Sequence, residues 1–208
     1  MDKSENMAAK KWSAPMRVYH WLNSLVVTLI LITVVLRKTI LDKYQVNLKI
    51  QGFLGDNGIE LSKDTTMKLA KLIRYEMWEW HYIFGFALAA LIYIRIILFF
   101  TKSGKSIFKD AFSFLTKNKK NNYWIKLLYL AVYLAIFTIS VTGVLMYFYK
   151  DLGWTHDTKD ILESIHVAVM NIIIYFIPMH LIGIALAENE DQPGVTSDMI
   201  NGGNNETS

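Results

Sequence analysis

The chain has 208 residues, enough for one domain, of which 53% are hydrophobic and 13% aromatic, and its formal net charge is +4. It contains no cysteine, which excludes iron–sulfur clusters held by thiolates, covalent c-type haem attachment and disulfides. A redox metal would have to be held by histidine, methionine or carboxylates. The basic residues lie between apolar blocks rather than in one stripe, which argues against a nucleic-acid partner.

Crossing the hydrocarbon core of a membrane takes about 20 mostly apolar residues. Residues 1–18 are polar and lack a short apolar core followed by a small-residue cleavage site, so they are read as a cytoplasmic N-terminal segment rather than a removable signal peptide. The first apolar block covers about 19–36 and stops at Arg37 and Lys38. The connection 39–79 is long, and Met67, Ala70, Ile73 and Met77 recur there at helical spacing among Lys68, Lys71 and Arg74. That pattern predicts a short amphipathic helix over Thr65 to Met77, lying on the outer membrane surface. Further apolar blocks follow at about 80–100, 124–149 and 165–187. Trp12, Trp21, Trp78, Trp80, Trp124 and Trp154 stand at or near the block edges, where aromatic and basic residues settle among lipid headgroups. Helices buried in a soluble bundle would show a polar stripe, and these blocks mostly do not.

Residues 19–187 therefore read as one transmembrane four-helix bundle of the all-α class. Residues 188–208, acidic and then rich in Gly and Asn, read as a flexible cytoplasmic tail. With four crossings both termini share a side. Twelve of the 22 Lys and Arg fall on that side, and the short, dense run from Lys102 to Lys120 places it in the cytoplasm.

Four of the five histidines fall inside or at the ends of apolar spans, where an ionisable side chain is costly and points to function. His20 opens the first span and His180 lies near the end of the fourth, both at the cytoplasmic level. His81 opens the second span and His166 begins the fourth, both at the outer level. His166 and His180 are fourteen residues apart, which puts them on roughly one helix face and about 21 Å apart along its axis. That separation fits two haems stacked across the bilayer, one near each surface. Matching depth pairs His20 with His180 for the inner haem and His81 with His166 for the outer one. Histidines bridging helices or relaying protons are the plainer explanation, which four residues at two matched depths disfavour.

Smaller residues follow the same geometry. Gly85 lies one turn beyond His81, where a missing side chain would admit a flat macrocycle; Gly143 and Gly183 stand in the third and fourth spans. Arg95, fourteen residues after His81, reaches the inner level, and Arg17 precedes His20 by three; both are candidates for the inner haem's propionates. Met179 points about 100° away from His180 and is a poor axial ligand. Pro178 removes a backbone hydrogen bond that could re-aim His180. His156, in the last connection, reads as solvent-facing.

Together, Arg17-Val-Tyr-His20-Trp21, His81, Thr142-Gly143, His166, Pro178-Met179-His180 and Met199-Ile200-Asn201-Gly202 resemble the bacterial di-haem cytochrome b membrane subunits of the nickel–iron hydrogenase type. This group lies in the prokaryotic cytochrome b561 superfamily and is related to the formate dehydrogenase gamma subunit. The resemblance covers nearly the whole chain apart from the first connection. The connection between the second and third spans is short for the hydrogenase cytochromes, and basic residues do not follow the closing Asn-Gly.

The resemblance implies two b-type haems, each held by two histidines, in a multi-pass protein of the bacterial cytoplasmic membrane. It further implies electron transfer between a hydrogenase-like redox subunit and menaquinone or ubiquinone. Trp21, Asn23 and Ser24 are the candidate quinone contacts, by proximity to His20. Two other readings compete. One is a self-sufficient quinone reductase oxidising superoxide or another donor; the other is a haem-free transporter or scaffold using the histidines for protons. The second would want broken helices in repeated halves, which the sequence lacks.

Overall fold

The structure is a computed structural model that describes residues 14–100, 123–189 and 193–203. Trp12, the side chain of Trp124, the basic run from Lys102 to Lys120 and the end of the tail, 204–208, lie outside the described residues. Among the described residues there are helices and turns and no strand. In chain order the helices are α1 (Ala14–Lys38), α2 (Lys43–Asp56), α3 (Lys63–Ile73), α4 (Glu76–Phe100), α5 (Tyr123–Tyr147), α6 (His156–Asn189) and α7 (Val195–Asn201).

Four stretches are long and apolar enough to cross a membrane: Ala14–Lys38, Lys63–Ile97 (which takes in α3 and most of α4), Leu130–Tyr147 and His156–Asn189. A helix of 25 residues, the length of α1, α4 and α5, is about 37 Å long and exceeds a hydrocarbon core of about 30 Å. Large apolar side chains face outward along them, among them Val35, Leu134, Ile172 and Tyr175, as expected where the solvent is lipid.

The chain divides into two units, Met1–Asn23 with Tyr93–Ser208, and Ser24–Ile92. In the first, α5 packs along α6 and α7 folds back on α6. In the second, α2 packs on α3, with Val46, Asn47, Thr66 and Ala70 buried between them and Gln51 Nε2 donating to Thr66 Oγ1 at 3.1 Å.

Local chemistry sets the helix ends. The Asp42 carboxylate accepts from Tyr44 N at 2.9 Å and Gln45 N at 3.3 Å, capping α2. Ser62 Oγ accepts from Thr65 N at 3.2 Å to start α3. Arg37 and Lys38 occupy the last turn of α1, where cations complement the helix dipole. The turn between α5 and α6 needs φ +69° at Gly153, a conformation natural to glycine.

The structure differs from the sequence-based expectations in the connection and the tail. The connection contains α2, which no expectation covered. The helix expected over Thr65 to Met77 is α3, ending at Ile73, after which the backbone turns and α4 begins at Glu76. Its inward stripe is Thr66, Ala70 and Arg74, whereas Ile73 is exposed. Arg74 is buried because helix-end carbonyls need donors: its guanidinium donates to the carbonyls of Leu41 and Arg37, and Arg37 Nη1 donates to the Arg74 carbonyl at 3.1 Å. The tail, expected to be flexible, has the helix α7 in its described part. Both Glu188 oxygens accept backbone amides there, from Gly194 at 2.7 Å and Thr196 at 3.0 Å.

Candidate haem site

His20 lies six residues into α1 and His180 near the C-terminal end of α6. Their ring centroids stand 6.4 Å apart with planes at 56°. Two imidazoles sharing one metal at about 2.0–2.1 Å per bond have centroids roughly 6 Å apart, so the spacing fits one iron between them. Phe176, one turn before His180, stacks on its ring at 5.3 Å and 19°. Trp21 meets His20 edge-on at 5.4 Å. His20 Nδ1 and Arg17 Nε are buried and have no hydrogen-bond partner among the described residues. Orphaned polar atoms of this kind are rare in a protein interior and mark a place where a polar ligand belongs.

Both candidate propionate-binding arginines lie at this end. The Arg95 guanidinium sits over the ring of Tyr19, the neighbour of His20, at 5.3 Å. Arg17 Nη1 donates to the Ile200 carbonyl of α7, and Trp21 Nε1 donates to the Met199 carbonyl at 3.2 Å. The Met199-Ile200 part of the closing motif is therefore tied to the helix that carries His20. Of the three candidate quinone contacts, Trp21 spends its N–H on this tie. Asn23 keeps a buried Oδ1 with no partner among the described residues, and the Ser24 carbonyl accepts the Thr28 hydroxyl at 2.7 Å.

His81 is in the second turn of α4. Its Nδ1 is 2.9 Å from Thr33 Oγ1 of α1, and Trp78 packs edge-on against its ring at 5.2 Å. The Arg37 guanidinium covers the other partner of that contact, 4.2 Å from the Trp78 ring. A Cβ added at Gly85 meets nothing within 4 Å, and the same holds at Gly183.

His166 lies ten residues inside α6 rather than at its start, because the polar residues from His156 onward are already helical. Its Nδ1 is 3.0 Å from Thr142 Oγ1 of α5. A Cβ on Gly143 would stand 3.3 Å from His166 Cε1, so the bare glycine backbone lets the ring lie against α5. Pro178 is within α6, which continues through it. Met179 is 62% exposed and lies away from the His20–His180 contact. His156 opens α6 with its ring 5.5 Å from that of Tyr149.

Comparison with protein-family models matches residues 11–202 to the family described as prokaryotic cytochrome b561. The chain belongs to this family. Neither the curated proteins nor the solved structures compared with it gave a match. Membership makes the chain a membrane cytochrome of the b type, whose work is electron transfer through haem.

The residues of this cytochrome suit that group. Histidine imidazole is an axial ligand that haem iron takes, and Arg17 Nε, buried and without a partner among the described residues, suits an anionic group. Thr33 was not among the candidate residues named from the sequence; with Thr28 it is one of two threonines in the apolar run from Leu25 to Leu36. What marks Thr33 is its contact with His81 Nδ1 rather than its place in the span.

Proposed function

We propose that this cytochrome carries electrons between a hydrogenase-like redox subunit and membrane quinone on two b-type haems, one ligated by His20 and His180 and the other by His81 and His166. The observation that carries this reading is the close approach of the His20 and His180 rings, their centroids 6.4 Å apart. With two histidines to hold it, a haem would supply one-electron ferric–ferrous exchange, which suits electron transfer rather than oxygen chemistry.

Each residue has a part in that work. Arg17 and Arg95 supply cations for the propionates of the His20–His180 haem, one through a buried N–H and the other beside Tyr19. Gly85 keeps space free one turn from His81. The Asn23 Oδ1, buried and unpartnered among the described residues, can accept the O–H of a quinol beside His20. The second pair is assigned from the place of His81 and His166 in the sequence. With both termini in the cytoplasm of a bacterial cell, electrons enter at the outer pair and leave to menaquinone or ubiquinone at the inner one.

The test is anaerobic titration of the purified protein with a quinol such as menadiol. Reduction of a b-type α band, inhibited by Asn23→Leu, supports quinone exchange beside His20. A protein that shows the band with dithionite but is inert to every quinol contradicts the quinone assignment. Tagged protein isolated from gently solubilised membranes should bring down a redox subunit containing iron–sulfur centres.

A further inference from the structure

His81 and His166 are held in the same way by residues that nothing so far has given a role. Thr33 is buried on α1, and its Oγ1 is 2.6 Å from the Ile30 carbonyl of its own helix and 2.9 Å from His81 Nδ1. Thr142 is buried on α5, and its Oγ1 is 2.8 Å from the Thr138 carbonyl, 3.1 Å from the Ile139 carbonyl and 3.0 Å from His166 Nδ1. A threonine hydroxyl has one proton and two lone pairs. Carbonyls cannot donate, so in both cases the proton goes to the backbone of the threonine's own helix, a common habit of helical threonine. What remains for the histidine is a lone pair. The imidazole must then donate from Nδ1–H, and the lone pair of the ring is on Nε2.

We propose that Thr33 and Thr142 are positioning residues that lock His81 and His166 into the Nδ1–H tautomer and leave Nε2 as the metal-binding nitrogen. The inference rests on the assignment of these histidines as haem ligands. It goes beyond that assignment by naming which nitrogen binds, what fixes it and how the ligand is tuned. A hydrogen bond from the distal N–H of a ligating histidine fixes ring orientation and makes the imidazole a stronger donor. A stronger axial donor stabilises ferric iron and lowers the reduction potential, one of the means by which a protein sets haem potential. The device is the same at both histidines, although they sit on different helices and are served by threonines from different helices. Gly143, next to Thr142, completes it for His166 by allowing the ring the close approach that the hydrogen bond needs.

The experiment is a potentiometric titration of the α bands, with low-temperature EPR of the ferric haems, on the membrane-extracted wild type and on Thr33→Val, Thr142→Val and the matching Ser variants. Valine keeps the shape and removes the hydroxyl. The expected result is a higher midpoint potential and altered g values for one haem in each Val variant, with the other haem unchanged and the Ser variants near wild type. Loss of that haem in the Val variant with retention in the Ser variant supports the same conclusion. Midpoints and g values unchanged in both Val variants would overturn it, as would equal losses in Val and Ser. The ligand assignment fails separately: a wild type without b-type haem sinks that assignment. If Thr33→Val and Thr142→Val moved different haems, the tuning role would stand and the pairing of His81 with His166 would fall.

Discussion

Gly143 provides a sharp test of how His166 is held. A Cβ built there lies 3.3 Å from His166 Cε1 and 3.8 Å from its Nδ1, whereas carbon atoms rest at about 3.5–4.0 Å. Alanine thus forces a displacement of a few tenths of an ångström, and the ring resists because Thr142 Oγ1 holds Nδ1 at 3.0 Å. Crowding a packed site costs about 1–3 kcal/mol, offset by up to about 1 kcal/mol from replacing glycine inside a helix. Gly143→Ala should therefore fold with a net cost of about 0–2 kcal/mol, keep two haems and shift the EPR signal of one. Gly143→Val, with two further methyl groups against the imidazole, should lose that haem and keep the other. Pyridine haemochrome quantification and EPR read both outcomes. A Gly143→Val protein with two haems and wild-type g values would refute the reasoning.

Other outcomes follow from single contacts. A Cβ at Gly85 meets nothing within 4 Å, so Gly85→Leu should leave expression and helix content unchanged while lowering haem content; normal haem loading would show that the space at Gly85 serves something else. A stop codon after Gly194 removes the acceptors for Arg17 and Trp21, at a cost of about 2–4 kcal/mol for one charged and one neutral hydrogen bond. The melting temperature should fall, and an unchanged value would show that α7 is not tied down in solution. The amides of Gln45 and Tyr44 hold the Asp42 carboxyl below its ordinary value. A carboxylate with a lowered folded-state value stabilises above its unfolded-state pKa of about 3.9 and loses that contribution as pH falls through the folded one. The protection factor against hydrogen exchange at the start of α2 should fall below about pH 4 in the wild type and be pH-independent there, and lower throughout, in Asp42→Ala.

The four crossings were legible in the sequence because hydropathy reports what lipid demands of a helix. Their ends were not: α1, α4 and α6 begin at Ala14, Glu76 and His156, and charged or polar residues in their opening turns interrupt an apolar signal that the helix runs through. α2 was hidden by its mixture of polar residues with Gly52 and Gly55, and it is held by Asp42 and by burial against α3. Arg74 looked like part of a solvated face and is instead consumed by carbonyls at the end of α1, a demand set by a neighbouring helix. At the site, histidine spacing suggested haem ligation, whereas the hydroxyls of Thr33 and Thr142 acquire meaning only beside the rings they touch. The Met199-Ile200 stretch was visible as a motif, and its ties to Arg17 and Trp21 required the fold.

The central claim is that four histidines hold two haems in two pairs, and haem counting in single variants tests it most directly. The wild type should contain two b-type haems per chain. His20→Ala and His180→Ala should each lose the same one, and His81→Ala and His166→Ala should each lose the other, as judged by α-band position and EPR. Four variants that all retain both haems, or a wild type with none, would contradict the account.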